Sequence, residues 1–232
     1  MTNSSLQIEL PFYPKNIDSF YQLLKAKKIE NLTLGEHRNV TYCDSFWDTA
    51  MGDLHASSRT LRTRSREGGP IDFLDYKAPP RYEINNLFAR KLVSERIVND
   101  GDALSAIRLQ RHSEPIKQLF TDRPDLIGSP LFEVAKCLVE RTNFDIHHGK
   151  KPPILTISAH KYRYLINSKE TEDFFLIEVQ PKGTQPINES FLSILAAITT
   201  ALKTKNWKFS PTSKYLRIPR SSIDIALEEK AM

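Results

Sequence analysis

The chain has 232 residues, 40% of them hydrophobic and 26% charged, with a formal net charge of +5. That composition suits a globular fold and excludes a low-complexity or fibrous chain. Two cysteines, Cys43 and Cys137, stand far apart in no ligand spacing, which argues against a disulfide framework or a zinc site and fits a reducing compartment.

The N-terminus "MTNSSLQIELPFYPK" has no basic stretch followed by an apolar core, and no apolar run approaches the ~18 residues of a membrane span. The expectation is a cytoplasmic protein with no membrane partner. The sequence pI of about 9.1 favours an anionic ligand.

In chain order, "SLQIEL" alternates, with Leu6, Ile8 and Leu10 on one face and Ser5, Gln7 and Glu9 on the other, and predicts a strand. "PKNIDSFYQLLKAKKI", 14–29, predicts a helix with Pro14 near its start and Phe20, Leu23 and Leu24 on one face. "NVTYCDSFWDT" is rich in β-branched and aromatic residues and predicts a strand. "TLRTRSR" sets Arg62, Arg64 and Arg66 on one face, and after a Gly-Gly-Pro break "IDFLDYK" sets Phe73, Asp75 and Lys77 opposite Leu74 and Tyr76. "FARKLVSERIV" reads as a strand, but Arg90, Lys91, Glu95 and Arg96 fit either phase.

A helix follows over "GDALSAIRLQRH", capped by Asp100 or Asp102, and a short one over "EPIKQLF". "KCLVERTNFDI" predicts a strand. "HHGKKPP", 147–153, reads as a solvated hairpin loop, and His112 carries no signal of its own. "PILTISAHKYRYLI" keeps Thr156, Ser158 and His160 in step. "DFFLIEVQ" sets Leu176, Glu178 and Gln180 against Phe175, Ile177 and Val179. "NESFLSILAAITTALKTK" is the longest amphipathic helix, with Asn188 as its cap, and "SSIDIALEEK" predicts a final helix. Roughly eight strands with this alternation predict a barrel or sandwich rather than an α/β crossover fold. There is no internal repeat or linker, so one domain over 1–232, with a helical tail from about 219, is the economical division.

If the strands close into a barrel with their apolar faces outward under helices, the interior receives Gln7, Glu9, Arg62, Arg64, Arg66, Lys77, Glu178, Gln180 and Lys182. A packed core does not tolerate such a set unsatisfied; a water-filled tunnel does. Arginine forks bind phosphate oxygens bidentately and lysines add point charges, while the carboxylates suit a divalent cation bridging to phosphate. The competing reading leaves the arginines on the wet face of an open sheet.

The block "DSFWDTAMGDLHASSRTLRTRSREGGPIDFLDYKAP" resembles the Asp-x-Tyr-Phe-Asp-Thr, Leu-Arg-x-Arg and Leu-x-x-Lys-x-Pro segments of the CYTH, or triphosphate tunnel metalloenzyme, superfamily, in particular its thiamine-triphosphatase-like branch. "LVERTNFDI", "FFLIEVQPKG" and "PTSKYLRI" resemble later blocks of that branch, in family order, from Gln7 to Leu216. The resemblance implies an α+β fold with an eight-stranded antiparallel β-barrel and helices packed outside. It implies a metal-dependent phosphohydrolase acting on inorganic triphosphate, thiamine triphosphate or a nucleoside triphosphate. ATP cyclisation is a variant for which no purine pocket is identified. Carried over by position, Arg62, Arg64, Lys77, Arg141 and Lys214 grip the phosphates. Glu9 and Glu178 are catalytic and hold Mg²⁺ or Mn²⁺, with Gln180 and His160 as weaker metal ligands.

The departures are specific. The family's opening Glu-x-Glu-x-Lys is Gln7, Glu9 and Pro11 here, and its late Glu-x-Glu is Glu178-Val179-Gln180. His160 stands where an aspartate is usual. The expected ligand is a triphosphate or polyphosphate. The alternatives are a phosphate-binding module that has lost catalysis and a nucleic-acid contact patch. Few aromatics sit among the hairpin's basic residues, which makes nucleic acid the weakest of the three.

Overall fold

The computed structural model describes residues 2–83, 87–110, 113–147, 152–182, 189–205, 207–209, 214–219 and 221–222. In chain order the elements are β1 (Thr2–Tyr13), α1 (Ile17–Lys25), β2 (Lys28–Ile29), β3 (Leu32–Leu34), β4 (Arg38–Thr49), α2 (Asp53–Ala56), β5 (Thr60–Arg66), β6 (Ile71–Lys77), β7 (Arg81–Glu83) and β8 (Leu87–Arg96). There follow α3 (Asp100–Leu109), α4 (Glu114–Asp122), β9 (Leu131–His147), β10 (Leu155–Ile166), β11 (Lys169–Glu170), β12 (Phe174–Pro181), α5 (Glu189–Thr204) and β13 (Lys208–Phe209).

Eight of the strands form a closed antiparallel ring in the order β4-β5-β6-β8-β1-β12-β10-β9, sealed by the pairing of β9 with both β4 and β10. The open-sheet alternative is thereby excluded, since no edge remains within the ring. Register follows from alternation, because a one-residue slip would turn every apolar side chain of a strand inward.

The apolar outer faces meet two helical layers. On one side Leu10, Phe12, Ile157, Ile177 and Val179 pack with Phe20 and Leu23 of α1 and with Phe191, Ile194, Leu195, Ile198 and Leu202 of α5. Those α5 positions recur at three- and four-residue steps, the spacing of one helix face. On the other side Leu61, Leu74 and Tyr76 pack with Ala106 and Ile107 of α3 and with Ile116 and Leu119 of α4. Each fully buried Val, Leu, Ile or Phe among them contributes about 1.5–3 kcal/mol.

Several sequence expectations change in detail. The first helix is shorter than 14–29: Asn16 caps it by accepting from Ser19 N, and the chain turns into β2 at Lys28. The cap of α3 is Asn99, not Asp100 or Asp102; its side chain accepts from Gly101 N. His147 ends β9, paired with Thr33, rather than starting a loop. Asn188, His112, His148 and positions 223–232 of the expected tail lie outside the described residues. Among the described residues no helix is long and apolar enough to cross a membrane.

Candidate functional site

The β5–β6 hairpin turns at Gly68, whose φ of +69° places it in the left-handed region where a Cβ is strained. That turn sets Arg62 across from Asp75, and Thr60 across from Lys77. Inside the ring, Arg62 donates from Nε and Nη2 to Asp75 Oδ2 (2.9 and 2.7 Å) and from Nη1 to Asp44 Oδ2 (3.0 Å). Arg64 donates to both oxygens of Asp44 (2.7 and 2.9 Å) and lies over the Tyr42 ring at 3.9 Å. Ser94 Oγ donates to the other oxygen of Asp75.

Burial alone would raise both carboxyls; the Arg62 and Arg64 guanidinium groups outweigh it and hold Asp44 and Asp75 below the usual carboxylate range. The arginines therefore do not line open water. They are matched by two buried carboxylates to which the sequence reading gave no role in the site. Arg66, expected inward with them, is exposed at the rim, 3.9 Å from Asp72.

Part of the family-derived set meets at one place, while Arg64, Arg141, His160 and Gln180 do not border it. Glu9, Arg62, Lys77, Glu178 and Lys214 line one interior cavity, together with Arg90, which fixes the phase of β8. Lys91, one step along, faces out to Gln118. Lys77 Nζ lies 3.4 Å from Glu9 Oε1 and Lys214 Nζ 3.7 Å from Glu178 Oε1. Burial pushes the Lys77 ammonium down to about 8, against the pull of Glu9. Burial would raise Glu178, but Lys214 outweighs it and keeps the carboxyl well below its ordinary value.

His160 is 1% exposed and faces the same carboxylate, with Nε2 3.0 Å from Glu178 Oε2. The other ring nitrogen, Nδ1, is buried with no hydrogen-bond partner among the described residues. Burial, reinforced by Lys214, pushes the imidazole down to about 3, so it is neutral. Gln180 Nε2 donates to Glu178 Oε2 at 3.2 Å. Arg141 joins from β9, held by Asn143 Oδ1 and Ser158 Oγ, both at 2.7 Å. Lys182 turns instead to Asp145, at 2.6 Å.

The cavity measures only about 20 Å³, room for roughly one water. The wet channel expected from the alternation is thus corrected: opposite charges fill its middle, and aromatic side chains fill one flank. Tyr42, Phe46, Tyr162, Tyr164 and Leu176 form a buried cluster with Tyr215 and Ile218. They sit at inward positions of β4, β10 and β12, in step with Asp44, His160 and Glu178.

The 214–218 segment seals this flank. Tyr164 donates its hydroxyl to Lys214 O, Tyr215 donates to Asp48 Oδ2 (2.6 Å) and stacks on Phe46, and Arg217 lies over Tyr13. Asp48 also accepts from the backbone of Thr49, Leu54 and His55, which fixes α2 beneath the segment.

Among the described residues no group of three His, Cys, Asp or Glu is placed to hold a metal ion. A cation here would rest on Glu9 and Glu178 plus amide oxygens. Gln7 Oε1, buried with no donor, is one such oxygen, and carboxylate with amide oxygen is a hard-cation set. Donors of this chemistry suit a hard divalent ion such as Mg²⁺ or Mn²⁺.

No protein-family model matches the chain, and no curated protein matches its sequence. Solved structures do match its fold. A candidate adenylate cyclase from Bacillus halodurans aligns over 94% of this chain and 97% of its own, with a TM-score of 0.57 and 15% identity. A candidate adenylyl cyclase from Hippeastrum, described as having a dominant triphosphatase activity, aligns over 93% and 95%, with a TM-score of 0.57 and 16% identity. A protein from Pyrococcus horikoshii aligns over 96% and 99%, with a TM-score of 0.52 and 17% identity. The closed eight-stranded ring and these neighbours give one conclusion: the chain shares their fold, an antiparallel β-barrel with helices packed outside, as the sequence resemblance implied.

Proposed function

We propose that the barrel interior binds the phosphate end of a small triphosphate (inorganic, thiamine or nucleoside) and hydrolyses its phosphoanhydride bond. The carrying observation is the convergence of Arg62, Lys77, Arg90 and Lys214 with Glu9 and Glu178 on one interior cavity. Phosphoryl transfer asks for positioning and charge neutralisation more than for covalent chemistry, and these groups supply both. The triphosphatase activity described for the Hippeastrum protein agrees with the reading.

A triphosphate is much larger than the space present, so binding exchanges internal ion pairs for pairs with phosphate. Lys77 and Lys214 leave Glu9 and Glu178 for phosphate oxygens, and Arg141 adds a guanidinium from β9. The two freed carboxylates would then be the groups to hold one Mg²⁺ or Mn²⁺, which would supply charge neutralisation. Glu9 orients the attacking water by accepting its hydrogen bond.

The test is released phosphate from tripolyphosphate, thiamine triphosphate and ATP with either metal, in wild type and in Glu178→Gln. Release in the wild type, lost in the variant at unchanged fold, is expected. A wild type that releases nothing from any of the three removes the hydrolase reading.

One observation favours a second reading. Gln7 and Gln180 replace carboxylates, and both remaining glutamates already face an ammonium group. A binding module that keeps the cations and lacks hydrolysis then holds polyphosphate equally well in EDTA. Affinity lost on chelation excludes it.

A further inference from the structure

Thr60 borders the interior cavity with a side chain that the fold leaves unused, and its use rests on the phosphate reading above. It shares the inward phase of Arg62 and Arg64 on β5 and stands cross-strand from Lys77. It is 3% exposed, and its buried hydroxyl has no hydrogen-bond partner among the described residues.

Its neighbours at the cavity are already engaged. Lys77 faces Glu9, Lys214 faces Glu178, Arg62 holds Asp44 and Asp75, and Tyr215 donates to Asp48. An anion that recruits one of these cations must break an existing pair. The Thr60 hydroxyl can give its hydrogen to a phosphate oxygen with no such loss.

Folding alone does not account for this hydroxyl. Left without a partner it is a net cost to the folded state. Valine would supply nearly the same shape and the same preference for a strand without that cost. Native structures keep few buried polar groups of this kind, and each one kept calls for a reason. The likeness to triphosphate-tunnel proteins assigned roles to cations, carboxylates, an amide and an imidazole, and none to this position.

We propose that Thr60 contacts the ligand, its hydroxyl donating to an oxygen of the bound triphosphate at the end held by Lys77. The contact is uncharged and short-ranged, so it reads where the chain sits, not how much charge it carries. A triphosphate drawn in by the cations but seated short of the cavity gains nothing from it. Thr60 thereby fixes the depth at which the phosphate chain comes to rest beside Glu9.

The experiment measures tripolyphosphate binding by calorimetry, in EDTA and with Mg²⁺, for the full chain as wild type, Thr60→Val and Thr60→Ser, with the urea midpoint of each. Thr60→Val should weaken binding by about tenfold or more, the value of a hydrogen bond to a charged group. Its urea midpoint should equal or exceed that of the wild type, because a buried unpaired hydroxyl has been removed. Thr60→Ser should restore most of the affinity, which a purely structural role of the side chain does not predict. The loss in Thr60→Val should be the same at low and at high salt, since the group removed is uncharged.

Thr60→Val that binds as tightly as the wild type overturns the proposal. So does Thr60→Ser that binds no better than Thr60→Val. A lowered urea midpoint in Thr60→Val also overturns it, because the hydroxyl then serves the fold. The wider reading fails separately: a wild type that binds no tripolyphosphate, with or without metal, removes the phosphate reading and this contact with it. Wild-type binding alongside an indifferent Thr60→Val removes the contact alone.

Discussion

Arg62 reaches Asp75 through two nitrogens, at 2.9 and 2.7 Å, and Asp44 through its third, at 3.0 Å, with all three residues inside the closed ring. This arrangement explains how four arginines sit along one short stretch. Two of them share buried carboxylates, Arg66 points to solvent, and Arg59 donates to Ser57 O. The cluster is thus partly structural before any ligand arrives. A phosphate chain entering here competes with Asp44 and Asp75 instead of meeting bare cations.

Removing one partner should show how much the network carries. Asp44→Ala leaves Arg62 with Asp75 alone and takes both carboxylate contacts from Arg64. Breaking a buried pair on one side costs about 3–5 kcal/mol. The urea midpoint should fall accordingly, and a loss under 1 kcal/mol would mean that solvent replaces the carboxylate.

The same network sets an acid limit. Asp44 and Asp75 titrate below their ordinary range because the two guanidinium groups favour their ionised forms over the opposing effect of burial. A depressed folded-state pKa gives stability that is fully present above the unfolded value, about 3.9, and is lost as pH falls through the folded value. The urea midpoint should therefore drop steeply below about pH 4. Asp44→Asn should flatten that slope; an unchanged slope would place the acid sensitivity elsewhere.

The 214–218 segment depends on one hydrogen bond more than its length suggests. Tyr215→Phe keeps the stacking on Phe46 but removes the donor to Asp48. The expected cost is about 1–2 kcal/mol by thermal melting. Asp48→Ala should cost more, since it also frees the Thr49, Leu54 and His55 amides. Equal effects of the two substitutions would contradict this account.

Alternation made the barrel legible. β5 and β6 have the bounds read from "TLRTRSR" and "IDFLDYK", and inward polar positions such as Glu9, Arg62, Lys77 and Glu178 meet as expected. The filling of the ring was not legible. Asp44 and Asp75 are 31 positions apart, and only closure of the ring places both beside Arg62. Asp75 already shared the phase of Lys77, which was the available signal. Tyr162 and Tyr164 continue the phase of His160, yet an apolar ring at an inward position looks the same in sequence as one facing a helix. The phase of β8 needed its partners: Gln7 opposite Arg90 settles it.

Arg141 separates the phosphate grip from the fold. Its guanidinium is held by neutral groups, Asn143 Oδ1 and Ser158 Oγ, and among the described residues it has no ion pair. Its charge is already oriented and uncommitted, unlike that of Arg62. Arg141→Met should lower tripolyphosphate affinity by about 1.5–3 kcal/mol in calorimetry, the value of a hydrogen bond to a charged group. Its urea midpoint should move little, because no carboxylate is left unpaired. Arg62→Met should instead lose stability first, since Asp44 and Asp75 both remain buried. If Arg141→Met binds tripolyphosphate as the wild type does, the anion does not reach the β9 wall, and the grip is confined to Lys77, Arg90 and Lys214.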